Sequence, residues 1–221
     1  REEIENKMNK LNLTDIEIFN KKRKDGENDN YLCHLIRNDL LEEFIVFVNQ
    51  SDPSILKMKI KPSLFETNSF LLLNEPNLIE YSAFFGSIQI FKYLMLNGFE
   101  INERLWLYSI HGRNTEIIHL LEEEVLKIEN YNILFDEAIK CHHNEIADYI
   151  ENNYFQTQEN VFSLKSLEVF NFTFFNTNLF EIPNIFYMLC KYDYKYLVEL
   201  FIKSKDFDIN SKIIQNKKYF K

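Results

Sequence analysis

Apolar residues at positions i, i+1 and i+4 recur along the chain, and each occurrence forms one stripe along a short predicted helix. The clearest stripes are Ile90, Phe91 and Leu94; Ile117, Ile118 and Leu121; Ile146, Ala147 and Ile150; and Leu197, Val198 and Phe201. A shorter apolar segment and a small or polar turn precede each stripe. The pattern predicts a series of helix–turn–helix units in which the second helix buries one face.

The units are similar to one another over most of their length. Residues 81–94 align with 108–121, with 137–150 and with 188–201, and residues 36–48 fit the same frame more loosely. A two-helix unit of this length cannot bury its own apolar face, so neighbouring units must stack into a continuous core. We therefore predict an all-α fold, an α-solenoid of stacked helix–turn–helix repeats.

One unit carries a recognisable set of residues in order and spacing. The set comprises Ser82 and Ala83, Gly86, Ile90 and Phe91, Leu94 and Met95, and the closing segment 97–102. In these positions the unit resembles an ankyrin repeat, and residues 207–210 repeat part of the closing segment. Arg113, His142 and Asp193 stand where this unit has Gly86. The resemblance implies ankyrin-like helix pairing.

Residues 68–70, 78–91, 105–112 and 138–144 resemble more specifically a divergent ankyrin-type domain of unknown function that is expanded in some protists. The resemblance extends over roughly residues 30–210. It implies an ankyrin-like fold and a role in binding another protein, and it supplies no catalytic residues.

The domain organisation follows from the limits of the regular pattern. We expect an irregular helical cap with a divergent first repeat and a linker over 1–75, the ankyrin-like stack over 76–210, and a tail over 211–221. The linker, at 50–75, should hold a short helix. Residues 155–182 fit either a degenerate repeat or a long helix with a loop.

Composition and charge narrow the function classes. Four glycines in 221 residues make a dinucleotide-binding fold or a phosphate-binding loop hard to build, because both need glycine at special backbone angles. A formal charge of −9 opposes attraction to nucleic acid. No apolar run approaches the roughly 20 residues that cross a bilayer. We expect no nucleic acid and no membrane span.

The cysteines bear on the compartment. Cys33, Cys141 and Cys190 are odd in number and widely spaced, unlike the disulfide framework of a small secreted domain. A reducing compartment fits this pattern. We expect a cytoplasmic protein, either free or associated with the cytoskeleton.

One group of residues contains the side-chain types that bind metals or act as nucleophiles. Cys141, His142, His143 and Glu145, with His111 in the preceding unit, contain metal-ligand types, but adjacent histidines diverge and lack the paired spacing of structural zinc sites. No Cys–His nucleophile signature accompanies the cysteines. We predict a non-enzymatic protein with no metal and no cofactor.

The repeat itself indicates where a partner would bind. Ankyrin-like stacks contact partners through the exposed, concave face of their first helices and the tips of the connecting fingers, and Tyr, Phe, Met and Arg are typical interface anchors. The predicted partner-binding residues are Tyr81, Phe84, Glu103, Arg104, Tyr108, His111, Glu137, Lys140, Met188 and Lys191. Phe84 and Tyr108 could equally fill gaps between adjacent helices.

Two functions remain open. The first is an adaptor or scaffold whose concave face holds another protein. The second is a permanent structural component of a larger cytoskeletal or other assembly, in which the high aromatic content covers large interfaces.

Overall fold

The computed structural model describes residues 13–124, 128, 130–155, 165–174 and 185–204, and the rest of the chain, including the predicted 211–221 tail and the 207–210 segment, lies outside them. Across the described ranges the chain forms 13 α-helices and no strands. The all-α prediction is confirmed. The chain divides into two compact units, Arg1–Ile128 and Glu129–Lys221. The boundaries expected at 75 and 210 stay predictions.

The first unit consists mainly of helical hairpins. Its helices are α1 (Leu13–Asp25), α2 (Tyr31–Arg37), α3 (Leu41–Gln50), α4 (Ser69–Asn74), α5 (Leu78–Phe85), α6 (Ile88–Leu96), α7 (Arg104–Gly112) and α8 (Thr115–Glu124). Helices α2 and α3, α5 and α6, and α7 and α8 pack as pairs. Successive pairs also pack on one another, first helix on first helix and second on second. The predicted linker holds α4 and a 3₁₀ helix at Pro53–Lys57.

The second unit repeats the hairpin twice. Its helices are α9 (Tyr131–Lys140), α10 (Asn144–Tyr154), α11 (Lys165–Glu168), α12 (Ile185–Lys191) and α13 (Lys195–Ser204), with a 3₁₀ helix at Phe172–Phe174. Helices α9 and α10 pack together, α12 packs on α13, and α11 packs on α9. The predicted apolar stripes supply much of the buried surface in both units.

The turn between paired helices has one recurring geometry. The residues at its centre adopt left-handed backbone angles, with φ of 50° at Asp39, 68° at Gly86, 53° at Arg113, 57° at His142 and 56° at Asp193. At four of these five turns the next N–H bonds the carbonyl five residues earlier: Leu40 to Leu35, Ser87 to Ser82, His143 to Ala138 and Tyr194 to Leu189. This is the Schellman arrangement, which satisfies carbonyls left open at a helix end. The turn is therefore kept at positions where glycine is replaced.

The same turn appears where the sequence left two interpretations open. Phe170 has φ of 59°, and the N–H of Asn171 bonds the carbonyl of Ser166 at 2.9 Å. Within the described part of 155–182, a short helix thus ends in the same turn as the hairpins, and both interpretations of the segment stay predictions.

Asparagine side chains cap the N-termini of four helices. The side chains of Asn30, Asn68, Asn77 and Asn130 each accept a hydrogen bond from a backbone N–H in the first turn of the helix that follows. Asn77 and Glu80 form a reciprocal capping box. These bonds satisfy N–H groups that have no partner within the helix. Some of the asparagine content therefore has a structural use.

Hydrogen bonds join one hairpin turn to the next in the first unit. Ser87 Oγ donates to the carbonyl of Ile36 at 2.5 Å, and Asn114 Nδ2 donates to the carbonyl of Gly86 at 2.9 Å. In the second unit Asn171 Nδ2 donates to the carbonyl of Ile139 at 3.0 Å. Each of these side chains lies directly after a left-handed residue. The sequence pattern thus fixes both the turn and its attachment to the preceding one.

Candidate interaction surface

The predicted binding residues of the first unit lie mostly beneath helix α4. The ring of Phe70 on α4 lies 5.9 Å from that of Phe84, 5.0 Å from that of Tyr108 and 4.4 Å from that of His111, between centroids. Tyr81 and Tyr108 are 1% exposed, and Phe84 is 8% exposed. The expectation that these three side chains form an exposed face is wrong, because all three are buried. Phe70 of the same chain covers Phe84 and Tyr108, which fill space between helices.

Arg104 is held by this covering segment. Its Nη2 donates to the carbonyl of Asn74 at 2.9 Å and to the hydroxyl of Tyr108 at 3.0 Å, and its Nε lies 3.2 Å from Oε1 of Glu80. Glu80 is buried and also belongs to the capping box with Asn77. Burial raises the pKa of the Tyr108 hydroxyl, so it stays neutral and accepts the bond. Arg104 thus ties α4, α5 and α7 together.

A second arginine cluster fixes the first hairpin. Arg37 Nη1 donates to the carbonyl of Asn28 at 2.7 Å and to the hydroxyl of Tyr81 at 3.1 Å, and its Nε lies 2.9 Å from Oε2 of Glu27. Burial raises the pKa of the nearby Cys33 thiol to about 11. A thiol with that pKa is protonated at neutral pH and is a poor nucleophile.

The predicted residues of the second unit differ in exposure. Met188 is 8% exposed and belongs to a core with Leu167, Ile185, Leu189 and Phe201. Its prediction as a surface anchor is therefore wrong, because the small second unit uses it to complete the core between α11, α12 and α13. Lys191 is exposed, and its Nζ lies 4.9 Å from the ring centroid of Tyr192.

The remaining predicted residues are polar. Lys140 is exposed, and its Nζ lies 3.0 Å from Oε1 of the half-buried Glu137. Glu103 is exposed at the start of α7, and His111 is half-buried near its end. The accessible members of the predicted set are therefore mainly charged side chains rather than aromatic anchors.

The Cys–His group of the second unit is built into the α9–α10 turn. Nε2 of His142 donates to the carbonyl of Val169 at 3.0 Å. His143 occupies the N-cap position of α10. Burial raises the pKa of the Cys141 thiol to about 11. The two histidines therefore serve turn and cap positions within this unit.

A groove in the first unit was not predicted from the sequence. It has a volume of about 470 Å³ and lies between the start of α2 and the extended segment 58–61. The buried side chains of Leu32, Cys33 and Ile60 form its floor. Its rim carries the exposed side chains of Asn30, Lys59, Lys61 and Glu75. The lysines at 57, 59 and 61 were visible in the sequence, but the groove depends on the distant helix α2.

Comparison with known proteins finds no matching family model, no matching curated protein and no matching solved structure. Among the described helices, none has both the length and the apolar character required to cross a membrane.

Proposed function

We propose that this chain is a non-catalytic protein-interaction module, built as an ankyrin-like solenoid with an irregular helical cap. The observation that carries the proposal is the repeated left-handed turn, centred at Gly86 and at the aligned positions Arg113, His142 and Asp193. The sequence resemblance predicts equivalence of these positions. Stacked hairpins of this kind present extended surfaces that commonly bind proteins.

The raised pKa values of two thiols support a non-catalytic role. The pKa values of Cys33 and Cys141 are both raised to about 11, chiefly by burial, which disfavours a thiolate at neutral pH. A net charge of −9 favours a protein partner over nucleic acid. The free cysteines support a reducing, cytoplasmic location as part of the same proposal.

The module should bind through surfaces other than the face beneath α4. The tyrosines at 81 and 108 are enclosed, so a partner that meets the folded chain contacts exposed side chains. Charged residues such as Glu103, Lys140 and Lys191 remain accessible. Replacing Tyr81 or Tyr108 would mainly damage the fold.

Proximity labelling in the native cell, followed by co-purification with the tagged chain, tests the proposal. We expect one or a few proteins to bind saturably. A parallel thermal-shift screen with metals and small metabolites should leave the unfolding midpoint unchanged. Saturable stabilisation by a metabolite or metal, without any protein partner, would instead favour an enzyme.

The alternative, a permanent assembly subunit on the cytoskeleton or elsewhere, is favoured by a separate observation. Several large apolar side chains are well exposed: Leu64, Leu73, Leu96 and Tyr196. A neighbouring subunit that covers such side chains would remove their apolar surface from water. Sedimentation at increasing concentration distinguishes the two functions, because an adaptor stays monomeric while an assembly subunit self-associates or forms large particles.

A further inference from the structure

The extended segment 58–61 presents one open backbone edge to the groove. Lys59 and Asn77 form an isolated antiparallel bridge, in which the N–H of Ile60 donates to the carbonyl of Pro76 at 2.7 Å. In a pair of this type the bonds come from the flanking residues, so the N–H and C=O of Lys59 point to the opposite edge. Within the described part of the chain, neither group has a hydrogen-bond partner.

The groove lies along this open edge. The carbonyl of Lys61, two residues further along, points the same way and accepts a bond from Asn28 Nδ2 at 2.8 Å. Asn28 leads into α2, whose Leu32 and Cys33 form the floor of the groove. The edge is therefore open at Lys59 and closed by Asn28 at Lys61. An open edge position beside an apolar groove is a common binding place for an extended peptide, which adds to it as a further strand.

The charge around the groove defines the peptide. The side chains of Lys57, Lys59 and Lys61 are exposed, and no acidic side chain in the described ranges forms an ion pair with them. Two acidic residues of the α1–α2 loop form ion pairs of their own, Asp29 with Lys22 and Glu27 with Arg37, each at 2.9 Å. Glu75 is the one acidic side chain among the residues that line the groove.

The spacing of the lysines predicts how acidic and apolar residues alternate in the bound peptide. In a strand, Lys59 and Lys61 lie on one face, and Ile60 lies on the other, which here is buried. A peptide strand paired with this edge would place alternate residues opposite the lysines and the residues between them over the apolar floor. The matching sequence therefore alternates acidic and apolar residues.

We propose that the groove binds an extended peptide of the pattern acidic–apolar–acidic, which pairs with Lys59 as an added strand and contacts Lys59 and Lys61 with its carboxylates. This inference rests on the proposed function and names the chemistry of the partner segment. The whole chain carries a charge of −9, so bulk electrostatics would instead favour a basic peptide.

Fluorescence anisotropy with two labelled peptides tests the site. The probe is Gly-Ser-Glu-Val-Glu-Ile-Glu-Gly-Ser, and its counterpart has lysine in place of each glutamate. We expect saturable binding of the acidic peptide and at least roughly 10-fold weaker binding of the basic one. N-methylation of the central glutamate should also weaken binding, because an added strand needs its backbone N–H.

Charge reversal locates the binding. The double variant Lys59→Glu with Lys61→Glu should lose roughly 10-fold or more in affinity for the acidic peptide. The matched control, Lys21→Glu with Lys24→Glu on α1, makes the same change of net charge at residues that do not line the groove and should bind as the unmodified chain does. All four lysines are exposed, so both variants should keep the helical circular dichroism of the parent chain.

Several results would overturn the inference. They are absence of binding by the acidic peptide, stronger binding of the basic peptide, and an equal loss in the two double variants. A protein partner that co-purifies and binds the Lys59→Glu, Lys61→Glu chain with undiminished affinity would refute the groove while leaving the proposed function intact. Failure to find any protein partner would refute the proposed function itself.

Discussion

The carboxylate of Asp39 accepts a hydrogen bond from the backbone N–H of Ile90 at 2.9 Å, across two hairpins that are distant in sequence. Its other oxygen accepts from the N–H of Gln89 at 3.0 Å. Asp39 is the left-handed residue of the α2–α3 turn, and Gln89 and Ile90 lie in the first turn of α6. One hairpin thus supplies the N-terminal cap for a helix of the next.

Replacing Asp39 should weaken this attachment. Asp39→Ala removes the cap and places a residue without a local side-chain bond in the left-handed region, so we expect a loss of about 1–2 kcal/mol in the free energy of unfolding. Asp39→Asn, which tolerates the same backbone angle and retains an acceptor oxygen, should recover much of that loss. Urea unfolding measures both. Equal stability of Asp39→Ala and the parent chain would show that the cap contributes nothing.

Replacing the glycine at the end of α7 by alanine should lower stability, which is the opposite of the usual effect in a helix. Gly→Ala in a helix interior normally stabilises by about 1 kcal/mol. At Gly112 an added Cβ would lie 2.1 Å from the carbonyl oxygen of Ala83 on α5. We therefore expect Gly112→Ala to destabilise the protein by about 1–3 kcal/mol, because the two helices must separate.

The control for this change is Gly98→Asn. A Cβ at Gly98 meets no atom within 4 Å, and asparagine tolerates its φ of +82° better than other residues do. Thermal unfolding should place the midpoint of Gly112→Ala clearly below that of Gly98→Asn. The reverse order would contradict the close packing of α5 and α7.

Helix α4 should contribute to stability through Phe70 rather than through its outer face. Phe70→Ala removes the ring that contacts Phe84, Tyr108 and His111, and we expect a cost of about 2–3 kcal/mol for this half-buried side chain. Leu73 on the same helix is 83% exposed, so Leu73→Ala should change stability by less than about 0.5 kcal/mol. If chemical denaturation gave similar losses of stability for the two substitutions, the packing of α4 through Phe70 would be refuted.

Alkaline pH should reveal the burial of Cys33. Its pKa is raised by burial from 9.0 to about 11, so the folded state holds the thiol proton more tightly than the unfolded state does. The stability that this provides is complete below pH 9 and is lost as pH rises towards 11. The stability of the parent chain relative to Cys33→Ala should therefore decrease across that window.

Cys190→Ala provides the matched control for the pH experiment, because Cys190 is exposed. A decrease of the same size for Cys190→Ala would show that burial of Cys33 is not the cause. Denaturant unfolding at several pH values gives both differences. A difference for Cys33→Ala that stays constant from pH 9 to 11 would mean that the thiol is not buried in solution.

The turns were predictable from sequence, but the face that they support was not. Alignment of Arg113, His142 and Asp193 with Gly86 anticipated a common position, and the backbone angles agree there because the helix end imposes the geometry. The periodicity of α6 correctly predicted its buried apolar stripe. It could not show that Phe70, from outside the regular pattern, would cover Tyr108.

The groove illustrates a second limit. Alternating lysines from 57 to 61 can be read directly from the sequence, whereas the open edge of Lys59 depends on its bridge to Asn77 and the floor depends on Leu32. These contacts join residues with no shared local pattern. The groove therefore depends on long-range packing, and local periodicity in the sequence could not predict it.

Isothermal titration calorimetry of the purified chain with the protein that co-purifies with it tests the proposed function most directly. We predict saturable, stoichiometric binding that leaves the partner chemically unchanged, as mass spectrometry of both proteins after the titration would verify. Absence of saturable binding to any co-purifying protein, or covalent conversion of the partner during the titration, would contradict the assignment as a non-catalytic interaction module.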